Sequence, residues 1–397
     1  MLAQIFGGGG LTAGVTVGAL LARDLTGTEE AGGLPTALFT AGSASAAYMI
    51  GRLSQKNGRR VALSLSYFIG ALGAAAIVAF AALGHLAGFF TALFFYGAGL
   101  AAILQGRYGG ADLAPPGERA TAVSRVLLAT TLGAMAGPNL AAWTGQEAAR
   151  WGLPPLTGPF ILAALSYFMA AFILFTFLRP DPLLWMRAYG PREEGEEGES
   201  PPSLPAQGVT AGAVLMVLAQ LVMVAIMTMT PLYMEHHGHG LPQVGLVISL
   251  HIGAMYLPSL FTGILADRFG AIPMGILAAW ILLLSGLLAA YVPGTSLGGL
   301  AVALGLLGLG WNLGLIAGST LVSAGVPSSQ RARTQGTVDV LVALSGASGG
   351  AFSGILMGHS SYGLLSLVGG LISLAALPFL RFRKDVPSTR YTEERGG

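Results

Sequence analysis

Four ionisable side chains, Arg107, Asp112, Arg125 and Asp339, lie in or at the rims of long apolar stretches. A charge in hydrocarbon is costly, so such groups are paired with one another or handle ions and protons. A second set closes another apolar run, where Glu235, His236, His237 and His239 cluster and His251 follows. Imidazoles beside a carboxylate titrate near neutral pH and can carry protons or work an outer gate. The same groups can hold a divalent cation, and a solvated His-rich loop would look no different, so three readings stay open. In a third set, Met216, Gln220, Met223, Met227 and Met234 recur at helical spacing. Methionine adapts its shape, so this face suits either plain packing or a cavity for varied apolar molecules. The expected cavity residues are Gln220, Met223, Met227, Trp311 and Asn312.

The elements that must position these groups follow from composition. The chain has 397 residues, 53% of them hydrophobic, with 60 glycines but only 20 Lys and Arg and 18 Asp and Glu. A soluble chain is about one quarter charged, so this is a polytopic helical membrane protein. A net charge of +2 predicts no nucleic-acid partner, and with no cysteine there is no disulfide, thiolate metal site or cysteine nucleophile. No HExxH pattern is present, and the chain is expected to be no enzyme and to carry no metal or cofactor.

Apolar runs of about twenty residues predict spans at 3 to 22, 34 to 54, 61 to 83, 88 to 110, 120 to 143, 156 to 178, 209 to 234, 243 to 266, 271 to 292, 297 to 324, 335 to 358 and 361 to 380. The first run lacks a basic leader and is read as a retained span. Residues 180–207 hold Glu193, Glu194, Glu196, Glu197 and Glu199 among Gly, Pro and Ser, a composition read as a disordered linker. The expected units are therefore a six-helix half over 1–179, a linker over 180–207, a second half over 208–380 and a tail over 381–397. Of the basic residues, only Arg23 and Arg150 fall at odd-numbered connections. Lys and Arg are retained on the cytoplasmic side, which places both termini there and makes the span count even.

The halves repeat. The run from Gly51 through Arg52, Gln55 and Lys56 to Gly58, followed by Arg59, recurs from Gly263 through Asp267 and Arg268 to Gly270. Pro115 to Arg119 recurs at Pro327 to Arg331, and both pairs are offset by 212 residues. A shared offset in separate loops marks an internal duplication, the usual construction of secondary transporters.

This duplicated GxLxxxxG loop with basic residues after it resembles the signature loop of the major facilitator superfamily, and the likeness covers nearly the whole chain. The resemblance implies twelve transmembrane helices in two pseudo-symmetric six-helix halves, with the loops forming an inner gate. In that family the loop's acid pairs with an arginine of span four and the start of span eleven. Here Gln55 replaces the acid in the first copy. The expectation is that Asp339 supplies the missing charge to Arg52, Lys56 or Arg107, while Asp267 pairs with Arg125. Gly133, Gly137 and Pro138 on span five resemble the GxxxGP antiporter motif of the family's drug/proton exporters, although Ala141 and Ala142 replace its paired glycines. Ordinary small-residue packing is the alternative.

The implied activity is alternating-access, proton-coupled efflux of hydrophobic or amphipathic small molecules, by a monomer in the bilayer of a bacterial inner membrane, driven by the proton gradient. The competing reading is a transporter of metal ions or a polar metabolite that uses the outer histidines.

Overall fold

The computed structural model describes residues 1–27, 34–189 and 207–381, and the described residues are helical with short connections. The N-terminal half comprises α1 (Leu2–Thr26), α2 (Leu34–Ala82), α3 (Leu86–Ala111), α4 (Arg119–Arg150) and α5 (Gly158–Phe177). A short α6 (Pro182–Tyr189) follows. The C-terminal half comprises α7 (Gln207–His236), α8 (Leu241–Tyr256), α9 (Ser259–Phe269), α10 (Ala271–Tyr291), α11 (Leu297–Ala324), α12 (Ser328–His359), α13 (Tyr362–Ser373) and α14 (Leu377–Arg381).

Nine helical segments among the described residues are long and apolar enough to cross a bilayer. One of them, α2, carries two crossings, because it turns at Gly58 with φ 87° and ψ 168°. Gly270, its repeat equivalent, adopts φ 93° and ψ 153° between α9 and α10. Only glycine takes such angles without strain, so both signature runs end where the chain must reverse. The glycine-rich α1 and the proline-containing α4 complete the twelve spans expected of the fold. Span eight is broken into α8 and α9 at Leu257 and Pro258, since proline cannot donate to the helical ladder.

Residues 180–189, expected to belong to a disordered linker, are in part the helix α6. Asp181 orders them: Oδ1 accepts from the amides of Leu183 and Leu184, and Oδ2 accepts from the Arg60 amide at 2.7 Å. One carboxylate thus caps α6 and the helix restarting after Gly58. The rest of the linker, 190–206, and most of the tail lie outside the described residues.

Each half has its own core. In the first, Gly7, Gly8, Gly9 and Gly10 turn different faces of α1 to Tyr67, Thr130, Gly133 and Tyr167, each too close for a larger residue or in tight contact. Tyr67 donates to Gln4 at 2.7 Å, and Tyr96 donates to the Gly10 carbonyl at 2.8 Å, so these two tyrosines keep their hydroxyls satisfied inside. In the second, α7 and α11 pack through Leu215, Met216, Ala219, Trp311 and Leu315. Contacts between the halves run mainly through α2 with α12 and α4 with α9.

Candidate functional site: the gate between the halves

Both signature loops lie on one side of the bundle and each reaches across to the other half. Gln55, in α2, accepts at Oε1 from the amides of Ala332 (3.1 Å) and Arg333 (3.3 Å) in the first turn of α12, and its Nε2 donates to the Ser329 carbonyl. Asp267, in α9, accepts from the amides of Ala120 (2.9 Å) and Thr121 (2.8 Å) at the start of α4. Gln55 and Asp267, Ala120 and Ala332, and Thr121 and Arg333 are each 212 residues apart. Each loop therefore caps a helix N-terminus of the opposite half, where free amides and the helix dipole favour an acceptor.

Behind each cap the helices almost touch. A Cβ on Gly51 would sit 2.8 Å from the Gly336 Cα, and one on Gly263 would sit 2.2 Å from Ser124 Oγ. Small residues permit this backbone approach. On the same side α4 packs along α9, the loop-side part of span eight, and meets α8 only lightly. The halves are thus zipped together at the signature loops.

Between α2, α3 and α12 lies a buried cluster of four charges. Arg59 Nε donates to Asp112 at 2.8 Å, and a terminal nitrogen donates to Gln335, whose own Nε2 donates to Ser323 at 3.0 Å. Arg107 donates to Asp339 Oδ1 at 2.6 Å, to Ser319 at 2.9 Å and to Tyr108 at 2.9 Å. Asp339 and Arg107 are thus joined across the halves, which is one of the three pairings expected for Asp339. The other predicted pairing is corrected. Arg125 is exposed on α4, and Asp267 spends both oxygens on backbone amides. The amides win because the free donors at the start of α4 meet the loop head-on.

Arg52 and Lys56 are exposed, and Arg52 lies over the Tyr48 ring at 4.3 Å. Arg268 likewise lies 5.5 Å from the Phe269 ring. The pairing of Arg59 with Asp112 was not anticipated, although both close their spans on the same side. Ser319 was missed too, yet it stands 212 residues after Arg107, so the repeat itself pointed to the two positions meeting on the pseudo-axis.

Of the expected cavity residues, Trp311 donates to Gln220 at 2.7 Å and meets the Tyr256 ring edge-on at 5.9 Å. Met223 is buried in the core of the second half and Met227 is packed against it, so much of the methionine face is helix packing. Asn312 is fully buried and braces the broken span eight, donating to the Met255 carbonyl and Ser259 and accepting from Thr262. Its amide is used up there. Gly133 meets the Ile5 carbonyl of α1, within contact distance of backbone, and Gly137 and Pro138 lie further along α4.

The outer histidines do not converge. Glu235, His236 and His237 are exposed, His239 bonds the Gly294 carbonyl at 2.8 Å, and buried His251 bonds the Leu304 carbonyl at 2.8 Å. No three His, Asp or Glu side chains among the described residues come together as metal ligands. A GxSxG string from Gly346 to Gly350 escaped the sequence reading. It lies within α12, and the Ser348 hydroxyl donates to the Leu344 carbonyl, so it forms no nucleophile turn.

The described helices thus form two six-span halves, related by a repeat and joined by reciprocal caps at one side, the architecture of a polytopic membrane transporter. The Major Facilitator Superfamily model matches residues 1–255 and again 212–397. The chain belongs to that superfamily. It is 52% identical over 382 residues to Uncharacterized MFS-type transporter YdeG of Bacillus subtilis (strain 168), covering 95% of this chain and 89% of that one. It is 29% identical over 391 residues to Riboflavin transporter RfnT of Brucella anthropi, covering 96% and 93% respectively. Its fold matches that of the human organic anion transporter MFSD10 (TETRAN) with TM-score 0.75, 17% identity and coverage of 96% and 97%.

Proposed function

We propose that the chain is a proton-coupled exporter of hydrophobic or amphipathic small molecules, seated in a bacterial inner membrane with both termini cytoplasmic. The observation that carries this reading is the gate: reciprocal caps and a charge cluster that close one side through reversible polar contacts. On this reading the closed side is the cytoplasmic one, and opening it exposes a binding site to the cytoplasm. The proton-coupled half of the proposal is supported by the ionisable pair that spans the two halves.

The nature of the cargo is supported by the walls of the bundle. Trp311, Tyr256 and Gln220 form an uncharged aromatic–amide group in the second half, with the indole bonded to the amide. A crevice of about 440 Å³ between α7, α12 and α13 is lined by side chains such as Leu221, Phe352 and Ile372. Flat, amphipathic ring systems suit such surfaces. Riboflavin, named for one relative, is a molecule of that kind. The metal-ion alternative is not favoured, because the outer histidines are each engaged separately or solvated.

The test is flux in vesicles holding the reconstituted protein. An acid interior should drive accumulation of ethidium or riboflavin, and collapse of the gradient should abolish it. Accumulation indifferent to the gradient would remove proton coupling. Gradient-driven proton leak with neither probe moved would remove the proposed cargo class.

A further inference from the structure

The four-charge cluster contains two orphaned atoms. Asp339 is buried and its Oδ2 has no hydrogen-bond partner among the described residues, and one terminal nitrogen of Arg59 is in the same position. Leaving one oxygen of a buried carboxylate unpaired is costly while it is ionised. The cost is tolerated because Oδ1 is held by Arg107 of the other half at 2.6 Å. Any rocking that opens the loop side must pull Asp339 away from Arg107.

From this geometry we infer that Asp339 carries the coupling proton, and that its protonation is what releases the inner gate. The inference rests on the proton-coupled reading above and deepens it. In the closed state the cluster is neutral, with Arg59 and Arg107 set against Asp112 and Asp339. A hydronium ion reaching Asp339 gives its proton to Oδ2, forming an O–H bond and leaving water. The carboxyl is then neutral and Arg107 loses its counter-charge; Arg59, Arg107 and Asp112 all belong to the N-terminal half, so the charge attraction that held Asp339 and its half to them is gone and the halves are free to part. Once the loop side is open, water hydrates Asp339, the O–H bond breaks to that water, and the restored carboxylate can pull Arg107 back. One proton has crossed for each cycle.

Charged and polar groups from α2, α3, α6 and α11 surround the cluster. Arg107, Tyr108 and Arg59 act directly on Asp339. Asp112 is tied to Arg59 with both of its oxygens. Arg187 of α6 lies beyond that pair and donates to the Gln55 carbonyl at 2.7 Å. From α11 the cluster receives the hydroxyls of Ser319 and Ser323. Among the described residues Asp339 is the acid that forms an ion pair with a basic side chain of the opposite half, whereas Asp267 is held there by backbone amides.

The chain has no cysteine, so spin labels can be placed singly. Labels at N57C and Q330C, both exposed and on opposite halves of the gate, would report the distance across it in the full-length protein in nanodiscs. Lowering the pH should lengthen that distance in the parent. D339N, which mimics the neutral carboxyl, should give the long distance at every pH, and D339E should restore the response. A pH response that persists in D339N overturns the inference, as does a parent distance that ignores pH. Vesicle flux separates the two levels: if ethidium accumulation in D339N still follows the pH gradient, proton coupling stands and this carrier falls. If D339N does not fold, D339E alone decides, since a longer acid should move the midpoint of the distance change and an unchanged midpoint rejects the assignment.

Discussion

The two interfaces that close the gate solve one problem in opposite ways. Where α4 meets α9 the cap is charged, Asp267, and the packing behind it is apolar, with Val123 and Leu127 fully buried. Where α12 meets α2 the cap is neutral, Gln55, and the repeat equivalents of Val123 and Leu127 are Gln335 and Asp339, engaged with Arg59 and Arg107. The duplicated scaffold is thus kept while the charge has moved from rim to interior on one side. A rim charge is hydrated whether the gate is open or shut, so it adjusts affinity. An interior charge is hydrated only when the gate is open, so it makes the equilibrium depend on ionisation.

The largest effect should come from breaking the interior pair. Arg107→Met leaves Asp339 buried without a counter-charge, which costs about 3–5 kcal/mol where measured in other proteins. Adding Asp339→Leu, the residue type of its repeat equivalent, should return most of that stability. The double variant would then lack the interior ion pair between the halves while keeping the Arg59–Gln335 contact, and its label distance should no longer respond to pH. Chemical denaturation in detergent checks the first point; a double variant no more stable than Arg107→Met alone would mean that the pair does not act as a unit.

Next come the close backbone contacts. Gly51→Ala sets a methyl 2.8 Å from the Gly336 Cα, where no side chain can yield, so the gate should be held ajar. Overpacking of this kind costs about 1–3 kcal/mol. Gly263→Ala meets first the Ser124 hydroxyl at 2.2 Å and then the Ala120 carbonyl at 2.8 Å. Ser124→Gly should therefore rescue Gly263→Ala in part. Because Gly51 faces only glycine and backbone, its variant has no side chain left to trim. Cysteine cross-linking across each interface would read the two outcomes.

Asp267→Ala removes an acceptor shared by two amides of α4. Losing an N-cap costs about 0.5–2 kcal/mol, and a charged acceptor belongs in the upper part of that range. The loop side should open more often and ethidium efflux at low gradient should fall. Equal gate populations in Asp267→Ala and the parent would mean that this cap does not hold the closed state.

How much of this the sequence carried depends on the kind of contact. Span positions, the repeat and the signature loops were legible because they rest on hydropathy and on glycines that the turns demand, as at Gly58 and Gly270. Asp339 with Arg107 was legible because buried charges need partners. Asp267 was misassigned because its partners are backbone amides, which every residue has and no residue type announces. Asn312 was read as a cavity residue because an amide inside a bundle has two uses, and only the break at Pro258 shows that it braces the chain. The helix α6 was missed because eight residues form too short a pattern to outweigh the Glu, Gly and Pro that follow them.

The smallest expected effect asks whether the two caps are interchangeable. Gln55→Asp copies the Asp267 arrangement, placing a carboxylate against the Ala332 and Arg333 amides at the start of α12. The gain is the charge–dipole term, about 0.3–1 kcal/mol. Against it stands the loss of the Nε2 bond to the Ser329 carbonyl, an exchange that Asp267 never faces in the contacts found for it. If charge wins, the closed population rises, turnover slows a few-fold, and more acid is needed to open the gate, since Asp339 must now release a tighter clasp. If the amide bond wins, the closed population falls and the gate opens at higher pH. An unchanged label distance at all pH values would show that the first cap is passive and that the interior pair alone holds α2 to α12.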